Sequence, residues 1–343
     1  MSTRQLAAIS TCALLAAACG GTTTRTVTSP GAPVAPAGGG SLTELEQGYV
    51  SVIARVSDQV VQISNPQGLG SGVVFDSRGD VVTNAHVVAG GGPFKVTDSR
   101  GHSYSATLVG AFAPDDLAVI RTQGASLHAA SFANSGQLKI GDIVLAIGNP
   151  LGLRSSVTEG IISALGRTVP EGNGVVLPNV IQTSASINPG NSGGALVDLA
   201  GQVVGIPTLA ATDPQLGGGA APGIGFAIPS SVVTDIAGQI VRNGHVVNSR
   251  RAYLGLDFSV GLGAAPGALV AEVQPGGPGA RAGIGPGDAI ISIGRQPINT
   301  PDDVAAALAS LSPGQTVPMH LVRQDGSQTT VQVTLGQYPG RAG

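Results

Sequence analysis

Many short apolar runs separated by Gly or Pro recur at intervals of about ten residues from Val60 onward. "GSGVVFD", "DVVTNAHVV", "FKVTD", "ATLVGAF", "LAVIRT" and "DIVLAIG" are the first of them, and "SSVTEGIISAL", "NVIQTSA", "GALVD", "QVVGIPT" and "GFAIPS" follow. Runs this short cannot build long helices. Their regular spacing predicts a closed all-β architecture of barrels or sandwiches. The 343 residues exceed one ordinary core and imply two domains with extensions. Hydrophobic residues are 42% of the chain, enough for a sizeable core, and with 53 Gly and no Trp that core must come from Ala, Val, Leu and Ile. Charged residues are only 11% and the net charge is −3, with no basic patch, which argues against a nucleic-acid partner.

The β pattern ends in "SSVVTDIAGQIVRNG", a helix with Ser230 or Ser231 as its cap, Val232, Ile236 and Ile240 on its apolar face, and Gly244 as its stop. The first folded domain therefore spans residues 42–245. A second, small mixed α/β domain spans 251–337. In it "TPDDVAAALASL" is a helix capped by Thr300, and "VPMHLVRQDGSQTTVQVTL" is a hairpin turning at Asp325–Gly326.

Residues 1–19 form a targeting segment, with Arg4 ahead of an apolar stretch too short to span a bilayer. "LLAAAC" resembles the lipobox of bacterial lipoproteins, although Ala16 stands where Leu is usual. The resemblance implies that Cys19 becomes the lipid-bearing terminus and anchors an exported protein to a membrane of the cell envelope; the alternative is an ordinary secretory signal cut nearby. Only Cys12 and Cys19 occur, and cleavage before Cys19 would leave one, so the exported chain could then form no internal disulfide. Residues 20–41, rich in Gly, Pro and Thr, read as a disordered tether.

"INPGNSGGALVD" sets Ser192 on a stretch of backbone that is almost bare of side chains. A serine hydroxyl is a weak nucleophile until a base takes its proton. "TNAHVV" supplies His86 at the end of an apolar strand, and "PDDLAVIR" places Asp115 and Asp116 at the start of another. The order His, Asp, Ser across all-β sequence is that of the chymotrypsin-type triad.

"TNAHVV", "DLAVI", "GNPLGL…VTEGIISALGR" and "INPGNSGG" together closely resemble the HtrA/Deg family of trypsin-like serine proteases. The resemblance covers about residues 49–240 and runs on through a PDZ-like domain. It implies two six-stranded β-barrels with the active site in the cleft between them, Ser192 as nucleophile, His86 as general base and Asp116 as its orienting acid. Asp116 is preferred to Asp115 because the family's aspartate directly precedes "LAVI", and strand alternation would point the two to opposite faces. The family also implies an oxyanion hole from the N–H groups of Gly190 and Ser192, with Asn191 between them. Such a donor is worth roughly 3–4 kcal/mol in the transition state. Pocket walls are expected at Ser186, Ile187, Gly225, Phe226 and Ala227. With no acidic residue there, cleavage is expected after small or medium apolar residues. Ser184 departs from the family, which has Asp at that position.

"YLGL" (Tyr253, Leu254, Gly255, Leu256) resembles the carboxylate-binding loop of PDZ domains, where a C-terminal peptide adds as a strand beside the sheet. The resemblance implies unfolded proteins or peptides as substrates, C-terminal peptides as PDZ ligands, and a homotrimer. No metal or other cofactor is implied. The leading expectation is an envelope serine endopeptidase for unfolded or mislocalised proteins. Its rivals are a PDZ-dependent holdase with little turnover and a regulatory protease that cuts one membrane signalling protein.

Overall fold

The computed structural model describes residues 39–149, 156–172, 175–188, 190–213, 219–259 and 267–340. The targeting segment, Cys19 and the tether up to residue 38 lie outside the described residues. The chain separates into Met1–Glu44 and the compact unit Leu45–Gly343, which contains every described strand and most of helix α1. That helix runs Gly39–Ser57, so residues 39–41 are helical rather than part of a tether. Propagation explains the difference: once a helix is nucleated, each added residue gains a hydrogen bond, and even glycine follows for a turn. Val52 and Val56, four apart on α1, are buried.

Strands β1 (Val60–Asn65), β2 (Gly68–Val74), β3 (Asp80–Thr83), β4 (Phe94–Thr97), β5 (Ser103–Phe112) and β6 (Leu117–Thr122) close into a barrel in the order β1-β2-β3-β6-β5-β4. A second barrel is built from β7 (Ile143–Gly148), β8 (Ser156–Gly172), β9 (Val175–Thr183), β10 (Ala195–Val197), β11 (Val203–Asp213) and β12 (Gly219–Pro229), ordered β10-β11-β12-β9-β8-β7. All pairings are antiparallel. The doubled apolar residues in the sequence have a physical reason. Val61, Val74, Val81 and Ile120 fill the first barrel, while their neighbours Val60, Val73, Val82 and Val119 join a cluster shared with the second. Successive strand side chains point to opposite faces, and here both faces are dry.

His86 lies beyond the strand end, not on it. β3 stops at Thr83, and residues Ala85–Val88 form a one-turn helix, α2, with Asn84 at its cap position. Helix α3 (Ser230–Asn243) stops at Gly244 as expected, with φ +76°. Its start differs, since Pro229 occupies the cap position. Ser230 Oγ donates to the Ala133 carbonyl, and the Ser231 N–H donates to Ser135 Oγ at 3.1 Å. A serine from another segment thus satisfies the helix start, and α3 presses Val233, Ile236, Ala237 and Ile240 into the shared cluster.

Beyond α3, β13 (Ala252–Tyr253) pairs with β20 (Gly336–Gln337). Strands β14 (Leu256–Phe258), β15 (Ala268–Val273), β16 (Ala289–Ile293), β18 (Thr316–Val322) and β19 (Gln328–Thr334) form one sheet, with β17 (Gln296–Pro297) alongside β16. Helix α4 spans Pro278–Arg281 and α5 spans Pro301–Ala309. The expected box caps α5: Thr300 accepts from the Asp303 N–H, and the Asp303 carboxylate accepts from the Thr300 N–H. Those amide bonds, that from Asn299 foremost, hold the Asp303 carboxyl below the usual range.

Candidate active site

His86, Asp116 and Ser192 come from two barrels and meet in one hydrogen-bonded cluster. His86 Nδ1 lies 2.9 Å from Asp116 Oδ2 and 3.1 Å from Oδ1. Asp116 Oδ1 also accepts the His86 backbone N–H at 3.0 Å. A carboxylate can only accept, so Nδ1 carries a proton, and in the neutral ring Nε2 keeps its lone pair. The one-turn helix α2 makes this double grip available, because it turns the ring and the amide of His86 toward the same carboxylate.

Asp115 and Asp116 do part company, but not by strand alternation. Ala113–Asp115 is a single 3-10 turn, and Asp116 follows with a left-handed backbone at φ 49° before β6 begins. That reversal sends Asp116 to His86. Asp115 turns the other way, to Arg251 Nε at 2.6 Å. Burial raises the Asp115 carboxyl above the usual carboxylate range, against the opposing pull of the Arg251 charge and hydrogen bond.

Thr208, absent from the sequence-based expectations, ties the cluster together. Its hydroxyl donates to Asp116 Oδ2 at 2.7 Å, and its carbonyl accepts from Ser192 Oγ at 3.0 Å. It sits where the β11–β12 register shifts between Pro207 and Leu209. A bulge re-aims one residue out of the ladder, which here lets a single position serve both the acid and the serine. Pro207 inside an apolar run was the available signal, since proline in a strand marks a bulge or an edge.

The turn bearing Ser192 is shaped by its glycines. Gly190 has φ +108° and Gly193 has φ +79°, a region costly for residues with a side chain. A Cβ at Gly193 would also strike the Ser71 carbonyl and the Thr83 hydroxyl. Asn191 is buried and its Nδ2 donates to the Ser186 carbonyl at 3.2 Å.

Of the expected pocket residues, Ile187 and Gly225 face one another: a Cβ on Gly225 would overlap Ile187 Cγ1. Ser186 is exposed, with its carbonyl engaged by Thr158 Oγ1 at 2.8 Å as well as by Asn191. Phe226 packs into the cluster between the barrels and Ala227 into the second barrel's interior. Ser184 Oγ accepts the Ile161 N–H at 3.0 Å, so this position fastens β9 to β8.

In the second domain, the Tyr253–Leu256 segment turns at Gly255, φ +69°, with Leu254 buried. The carbonyls of Leu254 and Gly255 are tied to the N–H groups of Gly279 and Gln274. Strand β14 then lies at the edge of its sheet, with β15 as its neighbour among the described residues. Helix α5 lies close to β8 and β9 of the second barrel.

Two closed six-stranded barrels followed by a small mixed domain define a trypsin-like peptidase with an appended peptide-binding module. Residues 70–206 match the trypsin-like peptidase domain, and residues 246–335 match the PDZ domain. Serine endoprotease DegS of Escherichia coli (strain K12) is 36% identical over 321 residues, which are 87% of this chain and 88% of that protein. A probable periplasmic serine endoprotease, DegP-like, from Halomonas elongata is 36% identical over 92% of this chain and 68% of its own. The DegP-like protein of Rhizobium meliloti is 39% identical, with 55% of its length matched. The solved structure of the HtrA-type protease AlgW with decapeptide gives a TM-score of 0.59 at 32% identity, over 85% of this chain and 99% of that one. The chain belongs to the HtrA/Deg family of trypsin-like serine endoproteases with a PDZ domain.

Proposed function

We propose that His86, Asp116 and Ser192 hydrolyse peptide bonds by acyl-enzyme chemistry. One observation carries the reading: Thr208 holds the Asp116 carboxylate through its hydroxyl and the Ser192 hydroxyl through its carbonyl. The Ser192 proton leaves the Thr208 carbonyl for His86 Nε2 as Oγ attacks the scissile carbonyl. The N–H groups of Gly190 and Ser192 receive the developing oxyanion, with Asn191 setting their spacing. His86 then protonates the leaving amine as the C–N bond breaks. Water attacks the ester with His86 as base, and the proton returns to Ser192.

The substrates are unfolded or mislocalised envelope proteins. Cleavage follows small or medium apolar residues, since Ile187 fills the space beside Gly225. Substrate C-termini bind at Tyr253, Leu254, Gly255 and Leu256 along the open edge of β14. The probable periplasmic DegP-like relatives support an exported envelope protein. Lipidation of Cys19 anchors it to the membrane, and the working assembly is a homotrimer. Digestion of unfolded casein by wild type beside Ser192→Ala tests the central claim. Loss of digestion in the variant supports it, and equal digestion by both overturns it. Binding without digestion by wild type would favour a holdase.

A further inference from the structure

Ser71 lies in β2 of the first barrel, yet most of its polar groups are spent on the second. Its side chain is fully buried. The hydroxyl lies against the Gly190 carbonyl and, at 2.8 Å, the Asn149 N–H. A carbonyl oxygen only accepts and an amide N–H only donates. The hydroxyl therefore has one orientation, with its proton on Gly190 O and a lone pair on Asn149 N–H. The backbone of the same residue extends the grip. The Ser71 N–H donates to the Ser192 carbonyl at 3.0 Å, and the Ser71 carbonyl accepts from Thr83 Oγ1 at 2.7 Å. The turn from Gly190 to Ser192 is thus fastened at both ends to one residue of the opposite barrel. Gly190 needs such a fastening, because glycine at φ +108° has no side chain to fix it.

We propose that Ser71 is a positioning residue for the oxyanion site: its hydroxyl fixes the Gly190–Asn191 peptide and its N–H holds the Ser192 carbonyl, so the turn that presents the Gly190 and Ser192 N–H groups to the developing negative oxygen is held at both ends. The inference rests on reading Ser192 as the nucleophile. Ser71 touches neither substrate nor reacting atoms. It acts through the turn from Gly190 to Ser192, so its loss should weaken binding of the transition state more than binding of the ground state.

The test uses the full chain as wild type, Ser71→Ala, Ser71→Thr and Ser192→Ala. Hydrolysis of a fluorogenic peptide is measured beside affinity for a peptide boronic acid, whose tetrahedral adduct at Ser192 carries a negative oxygen, and for the matching product acid. For Ser71→Ala, kcat and boronate affinity should fall together by about 10- to 100-fold, with KM and product affinity held within about twofold. Ser71→Thr, which keeps a donor and an acceptor, should recover most of the loss. Thermal unfolding establishes that each variant is folded at the assay temperature. If Ser71→Ala is not, Ser71→Cys, of similar size and a weak donor, takes its place with the same expected split. Wild-type kcat and boronate affinity in the folded variant would overturn the proposal, as would equal losses in product and boronate binding. Activity in Ser192→Ala equal to wild type would instead overturn the nucleophile assignment.

Discussion

The Thr208 hydroxyl stands 2.7 Å from Asp116 Oδ2 across the join between the two barrels. The bond crosses from a bulge in β11 to the left-handed residue ahead of β6, so neither end is held by regular ladder geometry. It replaces one of the water contacts that a carboxylate loses on burial, and Asp116 is only 2% exposed. Thr208→Val keeps the shape and removes the donor. A buried acceptor left without its partner costs about 1–3 kcal/mol. Expressed as lost orientation of His86, that predicts a fall in kcat/KM of about tenfold or more. Thr208→Ser should stay close to wild type. Steady-state kinetics on one peptide substrate decides it, and a Val variant as fast as wild type would remove Thr208 from the machinery.

Adjacent aspartates with opposite duties give a second comparison. Asp116→Asn can donate to Nδ1 where a carboxylate only accepts, which favours the wrong imidazole tautomer. A fall in kcat of about 10⁴-fold is expected, as for the same change in a triad of this type. Asp115→Asn touches Arg251 rather than His86 and should leave kcat near that of wild type. Reversed outcomes in the two variants would exchange their roles.

Legibility in the sequence followed the range of the forces involved. The barrel strands were readable because burial on both faces writes itself into every run, as at Val60–Val61 and Val73–Val74. The helix at Pro301 was readable because Thr300 and Asp303 form a local box. His86 was misplaced onto a strand because a four-residue helix is too short to impose a period on "NAHVV". The split between Asp115 and Asp116 was foreseen with the wrong cause, since a left-handed φ at an aspartate leaves no mark on composition. Thr208 and Ser71 were missed for a different reason. Their roles arise from partners 92 and 119 residues away, and only the closed fold brings those partners near.

The Asp115–Arg251 pair predicts a pH-dependent stability. Both side chains are largely buried, and Arg251 Nη2 also donates to the Val176 carbonyl at 2.8 Å. Arg251→Gln leaves a buried carboxylate without its cation, a loss of roughly 3–5 kcal/mol when such a pair is broken. Asp115 already has its pKa raised by burial, and losing Arg251 raises it further. A group with a raised folded pKa contributes stability below its unfolded pKa, about 3.9, and loses it as pH climbs through the folded value. The variant should therefore be most destabilised at neutral pH and draw closer to wild type on acidification. Adding Asp115→Asn should recover part of the neutral-pH loss. Urea unfolding of the three proteins at several pH values measures this, and a deficit independent of pH would show that losing Arg251 leaves the Asp115 pKa unchanged.

Specificity offers the remaining prediction, because one apolar side chain limits the space beside Gly225. Ile187 is 6% exposed, and its Cγ1 occupies the position a Cβ on Gly225 would need. Ile187→Ala removes methyl and methylene groups from that wall and leaves Gly225 unchanged. A residue after which cleavage occurs gains about 1–3 kcal/mol for each methylene that finds a place in an apolar pocket. Cleavage after Leu or Phe should rise relative to Val or Ala by about tenfold or more, with little change in the rate for the best substrate. The wall should remain indifferent to Lys and Arg, since residues 183–188 and 223–228 contain no acidic side chain. Peptide-library cleavage by wild type and variant checks both statements. An unchanged preference would place the pocket elsewhere in the cleft, and a gain confined to basic residues would require a carboxylate that neither stretch supplies.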